Sequence, residues 1–265
     1  MKLFGKLQLL VVSLMIIACQ KVIDLPLNDA DVEYVVEVTA KNYVGANFAK
    51  LSLSGKVTND GNYDLLSGGT IQVTDESGNV YDFLETEPGL YHADGFQVLP
   101  STKYFLDVKI ADKHITSETQ TFKKPKIDSL SYQMLVGGIG GISKDTSYLI
   151  AFHSVDAADE KNYYWVKIYR NGEENEGFYL GNDDFINGQY YFAYFFGSEA
   201  KRNDTVLVEL IGVDAANYDY LLGVSNIIND SGLGVAPANP PSNLTGTGFG
   251  YFGLYMVDTM SIIIP

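Results

Sequence analysis

Apolar and polar side chains alternate along much of this chain, in short runs separated by turn residues. Val32, Tyr34, Val36 and Val38 occupy every second position, which predicts one face of a strand over residues 32–40. The same period of two recurs over 70–74, 80–83, 104–110 and 114–122. Short alternating strands at regular spacing predict a β-sandwich over residues 32–124.

A second region of strand-like pattern follows a basic, proline-containing break at Lys123 to Lys126, where we place the domain boundary. Its predicted strands are 127–136, 147–154, 163–170, 185–196, 205–213 and 261–265. One helix is predicted near 214–229, because Asp214 is a suitable N-cap and apolar residues follow it at helical spacing. Residues 125–265 are therefore predicted to form a second β-rich domain with one helix.

The fold class that these patterns predict is all-β, with one or two short helices. A further resemblance rests on the order of elements in the first domain. A strand is followed by an Asp-rich turn at Asp75 to Asn79, a partner strand, Gly89-Leu90-Tyr91 and then Tyr104-Phe105-Leu106-Asp107-Val108. This order resembles the immunoglobulin-like and carboxypeptidase-regulatory-like modules of secreted bacterial proteins. Such a fold carries no activity by itself.

The N-terminus departs from the strand pattern. Lys2 and Lys6 precede an apolar run that ends at Ala18, and Cys19 follows directly. A basic start, a short apolar core and a small residue before the cleavage point are typical of a secretory signal, and the cysteine makes this one resemble a bacterial lipoprotein signal. We interpret residues 1–18 as the signal peptide, Cys19 as the lipidated first residue and 19–31 as a tether. An ordinary signal peptide and a buried core helix are the alternatives, whereas a transmembrane helix needs roughly 20 apolar residues.

Charge and cysteine content exclude several classes of function. The formal net charge of −15 repels phosphate backbones, so we expect no nucleic-acid partner. It also opposes electrostatic binding to anionic lipid, so the predicted attachment to the membrane is through the N-terminal acyl chains. Cys19 is the only cysteine, and once lipidated it leaves no thiol for a disulfide, a metal site or a nucleophile.

Motifs of known chemistry occur only in unsuitable contexts. Residues 248–253 match the dinucleotide pattern Gly-x-Gly-x-x-Gly, but too few residues follow for a βαβ unit. Ser198 and Lys201 match Ser-x-x-Lys without its companion motifs. The three histidines lack metal-ligand spacing, and we interpret them as structural residues: His92, His114 and His153. The acidic loops 156–160 and 182–184 could each supply oxygens to calcium, but 182–184 lacks the spaced pattern of a calcium loop, so we favour solvated turns. We therefore expect no catalytic residue, metal or cofactor.

An aromatic run, Tyr190-Tyr191-Phe192-Ala193-Tyr194-Phe195-Phe196, is the most suggestive candidate for binding. Strand alternation sends Tyr191, Ala193 and Phe195 to one side and the other four residues to the opposite side, so both faces are apolar or aromatic. This pattern favours a strand buried on both sides. The alternative is a ligand or partner surface that uses Tyr190, Tyr191 and Tyr194.

Several motifs together resemble one known family. They are Cys19-Gln20-Lys21-Val22-Ile23-Asp24, the module over 68–109, Asn162-Tyr163-Tyr164, Asn239-Pro240-Pro241-Ser242-Asn243-Leu244 and Gly250-Tyr251-Phe252-Gly253. This set resembles the Bacteroidetes lipoprotein family catalogued as domain of unknown function 4249. The resemblance implies an accessory role beside a TonB-dependent outer-membrane receptor, and it implies no catalytic residues.

The resulting expectation is a non-enzymatic lipoprotein of the outer membrane that helps a TonB-dependent receptor in nutrient uptake. Lys21 is followed by Val22 and Ile23 rather than by acidic residues, so both the surface and the periplasmic face of that membrane stay open. Two alternatives also stay open: an envelope glycan hydrolase with a carboxylate pair, and a structural or adhesive β module.

Overall fold

A computed structural model describes residues 32–55, 64–137, 146–175, 177–229, 239–246 and 249–265. The predicted signal peptide, Cys19 and the predicted tether lie outside these residues. Within them the strands are β1 Tyr34–Lys41, β2 Phe48–Leu53, β3 Thr70–Asp75, β4 Val80–Glu87, β5 Leu90–His92, β6 Lys103–Ile110, β7 Lys113–Gln120 and β8 Ser129–Val136. They continue with β9 Thr146–Val155, β10 Tyr163–Arg170, β11 Glu173–Glu174, β12 Tyr179–Asn182, β13 Tyr190–Tyr194, β14 Thr205–Val213, β15 Leu244–Thr245 and β16 Phe249–Ile263, and the helix α1 spans Ala215–Asn229. The predicted fold class, mainly β with a helix near 214–229, is confirmed.

The first sandwich consists of β1 to β7 with β15 and the first part of β16. Its strand β4 belongs to both layers, because its first half pairs with β3 and its second half pairs with β5. The buried side chains of the two layers meet in one core that includes Val36, Leu51, Ile71, Phe96 and Tyr104. Apolar side chains at every second position of each strand produce this two-layer packing.

The predicted turn between β3 and β4 is confirmed, and Asp75 holds it. The Oδ1 atom of Asp75 accepts hydrogen bonds from the backbone N–H groups of Ser77 and Asn79, each at 2.9 Å. Its Oδ2 atom accepts one from the Asn79 side chain at 2.8 Å. These hydrogen bonds, that of the Asn79 side chain first, lower the pKa of the Asp75 carboxyl because they favour its charged form.

The second sandwich packs the sheet of β12, β10, β14 and β16 against the three-stranded sheet β13-β9-β8. Their shared core includes Ile150, Phe152, Val166 and Val208. The helix α1 covers the other side of the larger sheet, where Leu221 packs with Ile211, Val213 and Tyr255. As predicted, Asp214 caps this helix, since its Oδ1 accepts a hydrogen bond from the backbone N–H of Asn217 at 2.7 Å.

The long strand β16 joins the two sandwiches. Its first part runs parallel to β1, and its second part, from Met256, runs antiparallel to β14. The terminal strand predicted at 261–265 is therefore only the end of a strand that begins at Phe249. Gly250 has a φ of +108°, and a Cβ atom there would lie 1.9 Å from the Val36 carbonyl oxygen, so only glycine allows this close pairing. The division into 32–124 and 125–265 stays a prediction, and β16 contributes to both cores.

A partly buried ion pair also connects the two sandwiches. Lys41, at the end of β1, places its Nζ atom 3.1 Å from Oε2 of Glu209 on β14. Burial opposes the charge of Lys41, but hydrogen bonds with Tyr43 and Glu209 outweigh it and raise the pKa of Lys41. Asn42 continues the β1 pairing through its side chain, which accepts from the Val257 N–H at 2.8 Å and donates to the Val257 carbonyl at 3.1 Å.

Candidate binding surface

The strand β13 sends its side chains alternately into the second core and out to solvent. Tyr191 and Ala193 pack against the core, as does Phe195 just beyond the strand. Tyr190, Phe192, Tyr194 and Phe196 point to the other side and are between 38% and 61% exposed. The favoured interpretation of burial on both sides is therefore wrong for the outward row.

Tyr191 does not share a surface with Tyr190 and Tyr194, because the structure places it on the opposite side of the strand. The reason is the period of two, which turns neighbouring residues to opposite faces. The ring of Tyr191 packs edge-on to Phe152 at a centroid distance of 5.5 Å. Burial raises the pKa of its hydroxyl to about 12. A binding role for Tyr190 and Tyr194 stays a prediction.

The outward row continues onto the neighbouring strand β9. We call Tyr190, Phe192, Tyr194 and Phe196, with His153 and Val155 of β9, the aromatic face. Consecutive rings of the row lie 6.4, 5.7 and 6.3 Å apart between centroids, which is the separation of interacting aromatic pairs. The rings therefore form a continuous strip along β13.

His153 supports this strip from beside it. Its ring lies 6.0 Å from that of Tyr190 and 5.9 Å from that of Phe192, nearly parallel to both. Its Nε2 atom shares a hydrogen bond of 2.7 Å with the Ser131 hydroxyl, and its Nδ1 atom shares one of 2.5 Å with the Tyr190 hydroxyl. Both ring nitrogens are thus engaged in fixing side chains of the sheet.

The strands that carry the aromatic face lack acidic residues, lysine and arginine. The strands β8, β9 and β13 contain no Asp, Glu, Lys or Arg, although such residues make up 19% of the chain. Depletion of charge together with enrichment of aromatic residues is typical of the centre of a protein interface.

A groove lies on the inner side of β13, between it and β12. Its volume is about 340 Å³, and its lining includes Phe178, Tyr179 and Leu180 from one wall and Tyr191, Ala193 and Phe195 from the other. The buried Tyr191 hydroxyl has no hydrogen-bond partner among the described residues. β13 therefore separates two apolar surfaces, the aromatic face outside and this groove inside.

The acidic loops beside the groove have structural roles. Asp156 accepts hydrogen bonds from the Tyr164 hydroxyl at 2.5 Å and from the Gly188 N–H at 2.9 Å. Asp183 accepts one from the Asn162 N–H at 2.9 Å and pairs with Lys161, and hydrogen bonds to Asp183 and Asp184 raise the pKa of Lys161. Both Asp156 and Asp183 are buried, so the expectation of solvated turns is wrong for these two residues.

The same loop explains why β13 begins later than predicted. The Ile186 and Asn187 N–H groups donate to the Asp183 carbonyl at 3.1 and 3.0 Å. These hydrogen bonds form a tight turn, so the first residues of the predicted strand are not extended. Phe185 lies in this turn and is 94% exposed. The sequence did not predict that Phe185 lies in an exposed turn, because its aromatic side chain resembles those of the strand that follows.

Of the remaining sequence candidates, His92 and His114 lie apart from this surface, whereas Ser198 contacts Tyr179 in the wall of the groove. His92 and His114 are on β5 and β7 of the first sandwich, where His114 pairs with Asp107 at 2.6 Å. The Ser198 hydroxyl shares a hydrogen bond of 2.5 Å with the Tyr179 hydroxyl. In the described part of the chain, no group of three or more His, Cys, Asp or Glu side chains is suited to hold a metal ion. No helix in that part is both long and apolar enough to cross a membrane.

The fold and this surface define a β-sandwich protein with an exposed, charge-free aromatic sheet. The chain belongs to the family described as domain of unknown function (DUF4249), whose model matches residues 20–261. The family resemblance inferred from the sequence motifs is thus confirmed. No curated protein matches the chain.

Two solved structures show similarity at low identity. One is a two fibronectin type-III domain segment from chicken tenascin, 10% identical, with a TM-score of 0.23, covering 69% of this chain and 91% of that one. The other is an alpha-L-rhamnosidase from Dictyoglumus thermophilum, 11% identical, with a TM-score of 0.25, covering 69% of this chain and 27% of that one. Scores this low do not establish a common fold.

Proposed function

We propose that this protein is a non-enzymatic binding module of the outer membrane, held there by a lipid on Cys19. In this proposal it serves as an accessory or ligand-binding partner of a TonB-dependent receptor in nutrient uptake. The single observation that supports binding most strongly is the aromatic face, a row of four exposed rings on a sheet without Asp, Glu, Lys or Arg.

The physical case for binding rests on the cost of leaving such a surface in water. Large contiguous apolar patches are uncommon on proteins that have no partner. Tyrosine and phenylalanine contribute large contact areas and lose few rotatable bonds when they become ordered. The strip is already ordered in this structure, because His153 and the neighbouring rings hold it. A partner would therefore gain contact area at a small entropic cost.

The proposed anchor follows from the N-terminal sequence. An acidic chain with net charge −15 is repelled by anionic lipid surfaces, so acyl chains on Cys19 are the attachment that fits the composition. Cys19→Ser should move the protein out of the membrane fraction, and the mass of the wild-type N-terminus should show the added lipid. An unchanged membrane fraction for Cys19→Ser would remove the anchor from the proposal.

The partner is tested by affinity recovery from outer membranes of the source bacterium. The variant Phe192→Lys introduces a charge into the aromatic face, and Phe48→Lys is the matched control, since Phe48 also packs beside a histidine, His92, at 5.1 Å. The two phenylalanines are 52% and 54% exposed. We expect a TonB-dependent receptor to be recovered with wild type and Phe48→Lys, and about tenfold less with Phe192→Lys, the loss expected for a central interface residue. Recovery of no such receptor, with uptake unchanged after deletion of the gene, would contradict the proposal.

A further inference from the structure

In the described part of the chain, one edge of β13 pairs with no other strand. Phe195 donates to the Ile150 carbonyl at 3.0 Å, and the Gln189 carbonyl accepts from Asp156 at 3.0 Å, so odd-numbered residues direct their main-chain groups to β9. The N–H and C=O groups of Tyr190, Phe192 and Tyr194 must then point away from β9. Among the described residues, no strand pairs with this edge.

Natural sheets usually protect such an edge. Charged side chains, proline, a bulge or a covering segment prevent another chain from pairing there. The sequence of β13, YYFAY, contains no charge and no proline. In the first sandwich, by contrast, β15 pairs with β7 at Ser117 and Thr116.

The free edge also lies between two apolar surfaces. Side chains of a strand alternate between the two faces of its sheet. A strand added to β13 would therefore send one set of side chains over the aromatic face. It would send the other set toward the groove lined by Tyr179, Tyr191 and Ala193.

We propose that β13 binds an extended polypeptide segment of a partner as a fourth strand of the sheet β13-β9-β8. This inference rests on the proposed function and names the chemistry of the partner that the aromatic face would contact. Main-chain hydrogen bonds to Tyr190, Phe192 and Tyr194 supply the pairing, and the two apolar surfaces select the side chains.

Charge determines the kind of segment. Because β8, β9 and β13 carry no Asp, Glu, Lys or Arg, a charged residue in the paired part of the segment would be buried without an opposite charge, which is costly. A second copy of this chain is disfavoured, since both copies would carry a net charge of −15. The occupant is therefore a segment of another protein, uncharged where it pairs and basic in its flanks.

The test begins with a phage library that displays random peptides about ten residues long, the length of a strand with its flanks. Selection on the wild-type protein should enrich uncharged, alternating sequences with Lys or Arg near their ends. Enriched peptides are then synthesised in three forms, one normal and two N-methylated at alternate residues, so that each N-methylated form lacks the main-chain donors of one edge. We expect saturable binding of the normal peptide and at least about tenfold weaker binding of the N-methylated form whose missing donors face β13.

Two protein variants separate main-chain pairing from contact with the ring. Phe192→Ala and Phe192→Pro both remove the ring, but only proline removes the outward N–H, which β9 does not use. We expect the proline variant to bind at least about fivefold more weakly than the alanine variant. If the proline variant fails to fold, as judged by circular dichroism, the N-methylated peptide alone decides the matter.

Three results would overturn strand addition. They are no enrichment of any peptide, equal binding of all three peptide forms, and equal binding by folded Phe192→Pro and Phe192→Ala. The last two leave the proposed function intact, provided that Phe192→Lys still loses the receptor. The proposed function itself fails when Phe192→Lys and Phe48→Lys recover the receptor equally well.

Discussion

The outer faces of the two sandwiches expose opposite kinds of side chain to solvent. In the first sandwich, β3, β4, β6 and β7 expose a face of mostly charged and polar side chains, which we call the charged face: Gln72, Asp82, Lys103, Phe105, Asp107, Lys109, His114 and Glu118. Lys103 pairs with Glu118 at 2.9 Å, and Asp107 pairs with Lys109 at 3.1 Å and with His114 at 2.6 Å. The aromatic face, as the structure describes it, has no comparable pair of acidic and basic side chains.

The charged face also exposes one aromatic ring, that of Phe105, and a lysine lies over it. The Lys103 ammonium lies 5.3 Å from the centroid of the Phe105 ring, a cation–π arrangement. On the aromatic face, the rings pair with one another and with His153, and among the described residues no cation–π contact involves these rings. The first sheet is thus suited to water, whereas the second exposes the kind of surface on which the proposed function rests.

The largest effect that we expect is a difference in stability between variants on the two sides of β13. Tyr191→Ala removes a partly buried ring that packs against the core and should lower the free energy of unfolding by about 3 kcal/mol. Tyr190→Ala removes an exposed ring of the aromatic face and should cost less than about 1 kcal/mol. Urea unfolding of both variants measures the difference. Similar losses for the two variants would mean that the strand does not divide core from surface as described.

Local alternation was sufficient to locate several strands. The predicted strands 163–170 and 205–213 coincide with β10 and β14, because their apolar residues recur at every second position between clear turns. The helix α1 was also predictable, since Asp214 and the spacing of its apolar residues are local signals. In such elements, tertiary contacts reinforce what the local sequence already favours.

Long-range pairing was not predictable in the same way. The parallel alignment of β1 with β16 joins Val35 to Phe249, and no local pattern specifies a contact across so many residues. The exposure of Phe192 was equally hidden, because both sides of β13 are aromatic and only the opposing sheet determines which one is covered. The sequence thus indicated the aromatic residues of the candidate surface, but only the packing of the two sheets shows which of them are exposed.

A smaller effect is expected on the charged face. Glu118→Gln removes the ion pair with Lys103, and the side chains of Lys103 and Glu118 are 38% and 64% exposed. Water screens such pairs, so the free energy of unfolding should fall by no more than about 0.5 kcal/mol. Urea unfolding in low and high salt measures it, with Glu87→Gln on β4 as the control. A loss as large as that of Tyr191→Ala would show that the charged face serves stability rather than solvation.

The smallest effect concerns one carboxyl group of the charged face. Partial burial opposes the charged form of Asp107, but hydrogen bonds from His114 and Lys109 outweigh it and lower its pKa below the ordinary 3.8. A lowered pKa means that this carboxylate stabilises the fold above the ordinary value and loses that contribution as the pH falls through the folded value. Nuclear magnetic resonance titration of Asp107 should give a midpoint below 3.8, and Lys109→Met should raise that midpoint while Lys167→Met, on β10, leaves it unchanged. A wild-type midpoint at or above the ordinary value would show that the ion pairs of Asp107 do not form in solution. The charged face would then differ from the aromatic face only in its residue types and not in its ion pairs.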